Sequence, residues 1–349
     1  MSLSNPSQLL LRNSELLNSN NPLVVGCPDN EFLAELISVN PEAKISSYQT
    51  HFGYHQNTQS RYKDSVRACF SESYDNQTGS KHDLAIIYFP KSKPEYQFLL
   101  AMLAPHMAQG SSILVVGENK GGVKSCDKLS TKYSSCSNKI DSARHCSLFS
   151  VEFNNQEFKF DINDFYKQFK IDIAGITLTI ASLPGVFSSG SLDNGTRLLL
   201  ENLPSQINGS VLDFGCGAGI IGAFVNKKQP KTKVELVDVS ALAIASSKKT
   251  LELNQLAGKV FASDALSNIN GQYNAVISNP PFHQGIKTNY HATESFLKDI
   301  KKYMAKNASL TIVANNFLKY APILKAEIAE PELLINSKGF AVHHCKNEK

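Results

Sequence analysis

No stretch of this sequence is apolar for long enough to cross a membrane. No run approaches the ~18 apolar residues of a spanning helix, and the first twenty residues hold only Leu9-Leu10-Leu11 inside a polar stretch. That run is also too short for the core of a secretion signal. A cytosolic (cytoplasmic) protein with no membrane partner is expected. Cysteine pairing is missing too: Cys27, Cys69, Cys126, Cys136, Cys146, Cys216 and Cys345 are odd in number and include no Cys-x-x-Cys. This speaks against a zinc ribbon or a thioredoxin-type redox site, and reduced, mostly buried thiols are the simpler reading. His343-His344-Cys345 lacks ligand spacing, so no metal is expected.

Charge is modest rather than absent. Of the 349 residues, 42% are hydrophobic and 19% charged, as in a soluble globular protein long enough for two domains. The net +4 is unevenly shared: residues 1–165 carry 15 Lys+Arg against 17 Asp+Glu, and residues 166–349 carry 20 against 14. A basic C-terminal half fits a polyanionic partner, because neutralised phosphates supply affinity that is independent of base sequence.

What is present is an alternation of short apolar strands with helical patterns, the sign of a doubly wound α/β fold. In the C-terminal half, strands are expected at 210–214, 233–238, 259–262, 275–278 and 309–314. Helices are expected at 219–228, at 241–254 behind the N-cap candidate Ser240, and at 293–304. A hairpin should turn at Ala174-Gly175, a helix should cover 195–203, and a second hairpin should close the chain around Ser337-Lys338-Gly339. The domain boundary is placed near 165, giving domains 1–165 and 166–349. In the N-terminal half the clearest strands are 23–26, 84–88 and 113–117. Leu23–Asn30 and Ala85–Pro90 there have the outline of the C-terminal motifs with the chemistry removed, the pattern of a degenerate duplication.

Two motifs carry chemistry. The first is Val211-Leu212-Asp213-Phe214-Gly215-Cys216-Gly217-Ala218-Gly219, a strand entering a glycine-rich turn and a helix. Glycines let a ligand approach the main chain, and helix N-terminal N–H groups face it. Asp238, nineteen residues past Gly219, ends the next strand, where a carboxylate can accept from two vicinal ribose hydroxyls. Asp264, after the third strand, is placed to accept from an adenine amino group. Gly217, Gly219 and Gly222 also spell the Gly-x-Gly-x-x-Gly of a dinucleotide oxidoreductase. There a pyrophosphate would meet Asp213 at the loop entrance and be repelled, whereas the ammonium of a methionine moiety would be attracted. S-adenosylmethionine is the expected cofactor.

The second motif is Asn279-Pro280-Pro281-Phe282, directly after the fourth strand. An exocyclic amine conjugated to a ring is a poor nucleophile. Two acceptors on its N–H groups favour the tetrahedral, positively charged nitrogen of methyl transfer. The Asn279 side-chain oxygen and the Pro280 carbonyl can be those acceptors, and Phe282 offers a face for a planar base, worth ~1–3 kcal/mol. Asn-Pro also starts ordinary turns, but its place one α/β repeat after Asp264, with an aromatic following, marks an active site. No general base is needed; His283 has a suitable ordinary pKa but reads more simply as a structural or substrate contact.

Ser278–Gly285, Leu183-Pro184-Gly185-Val186-Phe187-Ser188 with Leu192-Asp193-x-Gly195, Tyr88–Phe98, Val116–Asn119 and Asp141–Arg144 together resemble the bacterial ribosomal RNA small-subunit guanine-N2 methyltransferase C family. The resemblance spans almost the whole chain. It implies two tandem Rossmann-like methyltransferase domains, the N-terminal one degenerate and aiding folding or RNA engagement. The C-terminal one would be a mostly parallel seven-stranded sheet, with helices on both faces, that binds the donor. It implies transfer to N2 of a guanine in 16S ribosomal RNA within the 30S subunit, by a monomer. By motif transfer, Gly215, Gly217 and Asp238 bind the donor, Phe187, Asp193 and Gly195 help enclose it, and Asn279, Pro280 and Phe282 hold the base. Reaching a paired guanine requires it to leave its stack. Lys120, Lys124, Lys128 and Lys132 recur every four residues, a stripe that Gly121-Gly122 interrupts. The residues alone also admit methylation of DNA adenine or protein glutamine, and a fold kept only for ribosome assembly; intact donor and acceptor motifs in one domain argue against the last.

Overall fold

The structure, a computed structural model, describes the chain apart from residues 1, 2, 78, 155, 189, 281–286, 319 and 349; for residues 287–292 it describes the backbone alone. The chain divides into two compact units, Met1–Phe165 and Tyr166–Lys349.

In the first unit, α1 (Asn5–Arg12) precedes β1 (Pro22–Val25), α2 (Glu31–Val39), β2 (Ile45–Gln49), α3 (Phe52–Arg61), β3 (Val66–Phe70) and β4 (His82–Tyr88). Then come α4 (Lys93–Leu103), β5 (Met107–Glu118), α5 (Cys126–Ser130), β6 (Ser134–Ala143) and β7 (Cys146–Phe153). The strands form one sheet in the order β3-β2-β1-β4-β5-β7-β6. Its first five are parallel, and β7 and β6 close it antiparallel. α1 lays Leu9 and Leu10 on a core with Val24, Phe32, Leu36, Ile86 and Leu114.

The second unit opens with a separate hairpin, β8 (Lys167–Ile173) and β9 (Ile176–Ser182). Ala174 and Gly175 turn it, at φ 48° and 79°, the twist that suits a two-residue hairpin. α6 (Asn194–Glu201), β10 (Ser210–Phe214), α7 (Ile220–Lys228), β11 (Lys233–Asp238), α8 (Ala241–Leu253), β12 (Lys259–Ala262) and β13 (Tyr273–Ser278) follow. Last are α9 (Lys287–Asp299), β14 (Met304–Asn315), α10 (Tyr320–Glu327), β15 (Glu332–Ser337) and β16 (Phe340–Lys346). The sheet order is β12-β11-β10-β13-β14-β16-β15, position for position that of the first unit. Leu212, Val276, Leu310 and Ile312 pack with Phe296, Leu297 and Ile300 on one face.

Three expected strands, 210–214, 233–238 and 259–262, match β10, β11 and β12. The helix expected at 293–304 differs: it runs Lys287–Asp299, tightens to a 3-10 turn over Ile300–Tyr303, and Met304 already begins β14. Apolar residues at 296, 297, 300 and 304 look helical in sequence, yet Met304 is buried at the entry of an interior strand, between β13 and β16. The lysine stripe does not form one face either. Lys120 and Lys124 lie on separate 3-10 turns, Lys128 on the five-residue α5, and Lys132 beyond it. Gly122, at φ 94°, breaks the period.

α8 docks on the hairpin by a polar stripe of helical period. Asn254 pairs with both backbone groups of Thr179, Thr250 with both of Ala181, and Ser246 accepts from Leu183 N–H. Four-residue steps on the helix thus meet two-residue steps on β9, which satisfies an otherwise bare strand edge. Among the described residues all seven cysteines are free thiols, five of them buried, and no helix is long and apolar enough to cross a membrane.

Candidate functional site

Chain order reverses around β10: β11 and β12 lie to one side, β13 and β14 to the other. In such sheets ligands bind in the crevice beyond the strand ends at this reversal. Both motifs open there, since Phe214 lies opposite Val237 on one side and Ser278 on the other. Ser278 Oγ donates to the Phe214 carbonyl at 2.8 Å, tying the two strand ends together.

The glycine loop has two kinds of glycine. Gly215 and Gly217 have φ of 72° and 54°, and a methyl group built on either would meet nothing within 4 Å. They border open space. Gly219 and Gly222 are close-packed instead: a methyl on Gly219 would lie 3.0 Å from Ser247 Cα, and one on Gly222 would lie 2.6 Å from Leu236 Cδ2. Gly219 therefore serves the packing of α8 and the entry to α7. Ser247, which the sequence reading missed, braces the loop by donating to the Gly217 carbonyl at 2.9 Å.

Asp238 ends β11 with both oxygens engaged by backbone: Oδ2 accepts from Gly217 N–H and Oδ1 from Ser240 N–H, each at 3.0 Å. The residue is half-buried, yet its carboxyl is desolvated enough to be pushed above its usual range. Each oxygen keeps a second lone pair for another donor. Asp213 is placed differently from its expected position at the loop entrance. It is fully buried behind the loop, with Oδ2 accepting from Gly222 N–H at 2.8 Å and Oδ1 buried without a partner. Burial, and to a lesser degree the nearby Asp238, pushes its carboxyl up to about 7. A carboxylate between strand and helix in this way holds the loop's shape and acts on the crevice only through its field. Asp264 is exposed after β12, its N–H donating to Ser267 Oγ.

On the other side of the crevice, Asn279 is half-buried and Pro280 buried. The Asn279 carboxamide nitrogen donates to Thr196 Oγ1 at 2.8 Å and to Asp193 Oδ2 at 3.1 Å. Asp193 is also the N-cap of α6, accepting from Thr196 N–H at 2.8 Å and from its hydroxyl at 3.2 Å. The resemblance made Asp193 part of the donor's enclosure; the contacts it makes here are with α6 and Asn279. Gly195 is likewise a packing position, since a methyl there would stand 3.1 Å from Asp193 Oδ2 and from the Phe340 ring. Phe187 is 55% exposed, unusual for a large apolar side chain. Phe282 and His283, with Pro281 between Pro280 and Phe282, lie outside the described residues.

The first unit has the same frame without this chemistry. Gly26 N–H donates to the Tyr48 carbonyl as Gly215 N–H does to Val237, and the strand registers make Gln49 the counterpart of Asp238 and Tyr88 that of Asn279. Gln49 is 2% exposed and turned onto the Cys27 carbonyl. The Tyr88 hydroxyl is buried against Ser7 Oγ at 2.7 Å. A neutral amide and a phenol replace the two side chains on which the second unit's site is built. Among the described residues no group of His, Cys, Asp and Glu could hold a metal ion; His344 bonds Thr311 instead.

Known proteins are similar to this chain in sequence and fold. Family profiles described as methyltransferase small domain and methyltransferase small domain N-terminal match residues 177–344 and 7–169. A Colwellia psychrerythraea protein named ribosomal RNA small subunit methyltransferase C is 46% identical over 353 residues, covering 99% of this chain and 98% of that protein. A protein of the same name from Pseudoalteromonas translucida is 44% identical, covering 98% of each. Among solved structures, the T. thermophilus 16S rRNA N2 G1207 methyltransferase in complex with AdoMet and guanosine aligns with a TM-score of 0.85 at 20% identity. It covers 99% of this chain and 92% of that one, and shows the common fold.

Proposed function

The chain belongs to the ribosomal RNA small subunit methyltransferase C family, and from that premise we propose that it transfers a methyl group from S-adenosylmethionine to the exocyclic N2 of a guanine in 16S ribosomal RNA. The solved T. thermophilus relative is an N2 methyltransferase of G1207, which makes the guanine at that position the proposed target. The substrate is RNA presented in the 30S subunit, met in the cytoplasm by a monomer.

The observation that carries this reading is the crevice between β10 and β13, with open glycines on one wall and an oriented Asn279 on the other. Gly215 and Gly217 let the donor approach the backbone, Asp238 offers two oxygens to its ribose, Asp264 takes its adenine amine, and Phe187 covers it. The donor supplies an electrophilic methyl on a sulfonium. Asn279 Oδ1 and the Pro280 carbonyl accept the two N–H groups of the guanine amine, which draws its lone pair out of conjugation and stabilises the charge that develops on nitrogen. Phe282 stacks on the base. The proton then leaves to solvent, so no side chain has to act as base. The first unit supports folding or engages RNA.

The test is transfer of labelled methyl from S-adenosylmethionine to 30S subunits lacking the modification, followed by nucleoside analysis. Label in N2-methylguanosine, lost in Asn279→Ala while S-adenosylhomocysteine still binds, is expected. Label on adenine, on protein, or nowhere overturns the substrate assignment.

A further inference from the structure

We propose that Asp193 and Thr196 are positioning residues for methyl transfer, holding the Asn279 carboxamide with its nitrogen turned to α6 and its oxygen left for the acceptor amine. This rests on the reading of Asn279 as acceptor of the amine's N–H.

A carboxamide can sit either way round in its plane, and the two ends have opposite hydrogen-bonding character. Here the partners decide. A carboxylate only accepts, so the end of Asn279 facing Asp193 Oδ2 must be the NH2 group. The Thr196 hydroxyl spends its proton on Asp193 Oδ2 and accepts from Asn279 Nδ2 with its lone pair. Both hydrogens of Nδ2 are thus committed, one to each partner. Oδ1 is the polar atom that these contacts leave for another donor. Turned over, the side chain would set N–H against N–H of the substrate and oxygen against the Asp193 carboxylate. The arrangement therefore selects the one orientation that stabilises a nitrogen gaining positive charge. A carboxylate on the amide nitrogen also polarises the group, placing more negative charge on Oδ1.

The first unit shows which part belongs to the fold and which to the chemistry. There Ser4 caps α1, its Oγ lies 2.9 Å from Ser7 Oγ, and Ser7 Oγ lies 2.7 Å from the Tyr88 hydroxyl. Helix cap, hydroxyl three residues on, and the residue at the C-terminal end of the fourth strand (Tyr88, or Asn279 just past β13) are linked in both units. Both clusters hold a carboxylate, Asp29 Oδ2 accepting from Ser7 Oγ at 2.6 Å in the first unit, but only in the second is it the helix cap itself and bonded to an asparagine at the end of the chain of contacts.

The experiment compares Asp193→Ala, Asp193→Asn, Thr196→Val and Thr196→Ser, alone and in an Asn279→Ala background. It measures turnover at saturating donor and RNA, with enzyme in excess over RNA and long incubation so that the residual rate of Asn279→Ala is read, and binding of S-adenosylhomocysteine by calorimetry. Asp193→Asn keeps a good helix cap, so a folded variant without the charge is available even if Asp193→Ala unfolds. Misorienting a reacting group costs up to about a hundredfold. We expect turnover to fall about a hundredfold in Asp193→Ala and about tenfold in Asp193→Asn and Thr196→Val, with Thr196→Ser near wild type. S-adenosylhomocysteine affinity should change less than about threefold. In the Asn279→Ala background the same substitutions should have almost no further effect, because groups acting through one side chain are not additive. Loss of S-adenosylhomocysteine binding with turnover preserved, or an undiminished cost without Asn279, overturns the proposal. If the wild type methylates an amine other than guanine N2, the substrate reading falls, and the same comparison on the actual product still decides this one.

Discussion

Asp213→Asn tests the electrostatics beneath the glycine loop. The wild-type carboxyl is fully buried, with one oxygen on Gly222 N–H and the other without a partner. Burial raises it from 3.8 to about 7, which corresponds to about 4 kcal/mol against the ionised form in the fold. The sign follows from proton binding. Below about pH 4 folded and unfolded chains both hold the proton, and the full contribution to stability is present. Between about 4 and 7 the unfolded chain ionises while the folded one keeps its proton, so stability falls as pH rises and the loss is complete above the folded pKa. Asparagine has no such dependence. Its oxygen can keep the Gly222 bond, and its NH2 group, buried where Oδ1 has no partner, costs about 1–3 kcal/mol at every pH. Urea unfolding of both proteins at pH 5, 6, 7 and 8 reads the difference, in which other titrating groups such as Glu95 cancel. The wild type should lose about 3 kcal/mol relative to Asp213→Asn between pH 5 and 8. A difference constant to within about 0.5 kcal/mol would refute the buried, high-pKa assignment.

Asp238→Ala removes the two oxygens that accept from Gly217 and Ser240 N–H; S-adenosylhomocysteine binding should weaken about tenfold to a hundredfold, and calorimetry showing unchanged affinity would remove Asp238 from the donor site. Gly222→Ala puts a methyl 2.6 Å from Leu236 Cδ2 and 2.7 Å from its Cγ, so it should lower stability by about 1–3 kcal/mol in thermal unfolding, whereas a neutral result would mean the helix–sheet contact is looser than it is here. Thr250→Val deletes both bonds to Ala181 on the β9 edge and should cost about 1–3 kcal/mol, with faster amide exchange concentrated at 179–183; uniform exchange along β9 would count against the polar stripe as its anchor.

Much of the second unit was legible because its signals are local. β10, β11 and β12 alternate or run apolar within four to six residues, and Gly215–Gly219 and Asn279-Pro280 stand directly at strand ends. The first unit was less legible. β2 reads Ile-Ser-Ser-Tyr-Gln, polar in composition but wholly buried, and β6 is a mostly exposed strand rich in serine. Neither shows an apolar period, since each is specified by the neighbours it pairs with. Two partial signals were there to be used. Asp193-x-x-Thr196 is the spacing of a capped helix start, and Ser246, Thr250 and Asn254 step by four along α8.

By itself the sequence determined the succession of elements, the duplicated outline, and the residue types of donor loop and acceptor motif, because each depends on near neighbours and backbone period. Only the tertiary structure decided which side chains meet. It sank Asp213 behind the loop and left Gly215 and Gly217, but not Gly219, beside open space. It also brought Asp193 and Thr196, 86 and 83 residues away in the chain, onto Asn279. Those contacts follow from the strand order β11-β10-β13-β14 and from α6 packing on β14 and β16. Sheet order is set by the joint burial of many apolar faces, a property of the whole chain that no short window of residues contains.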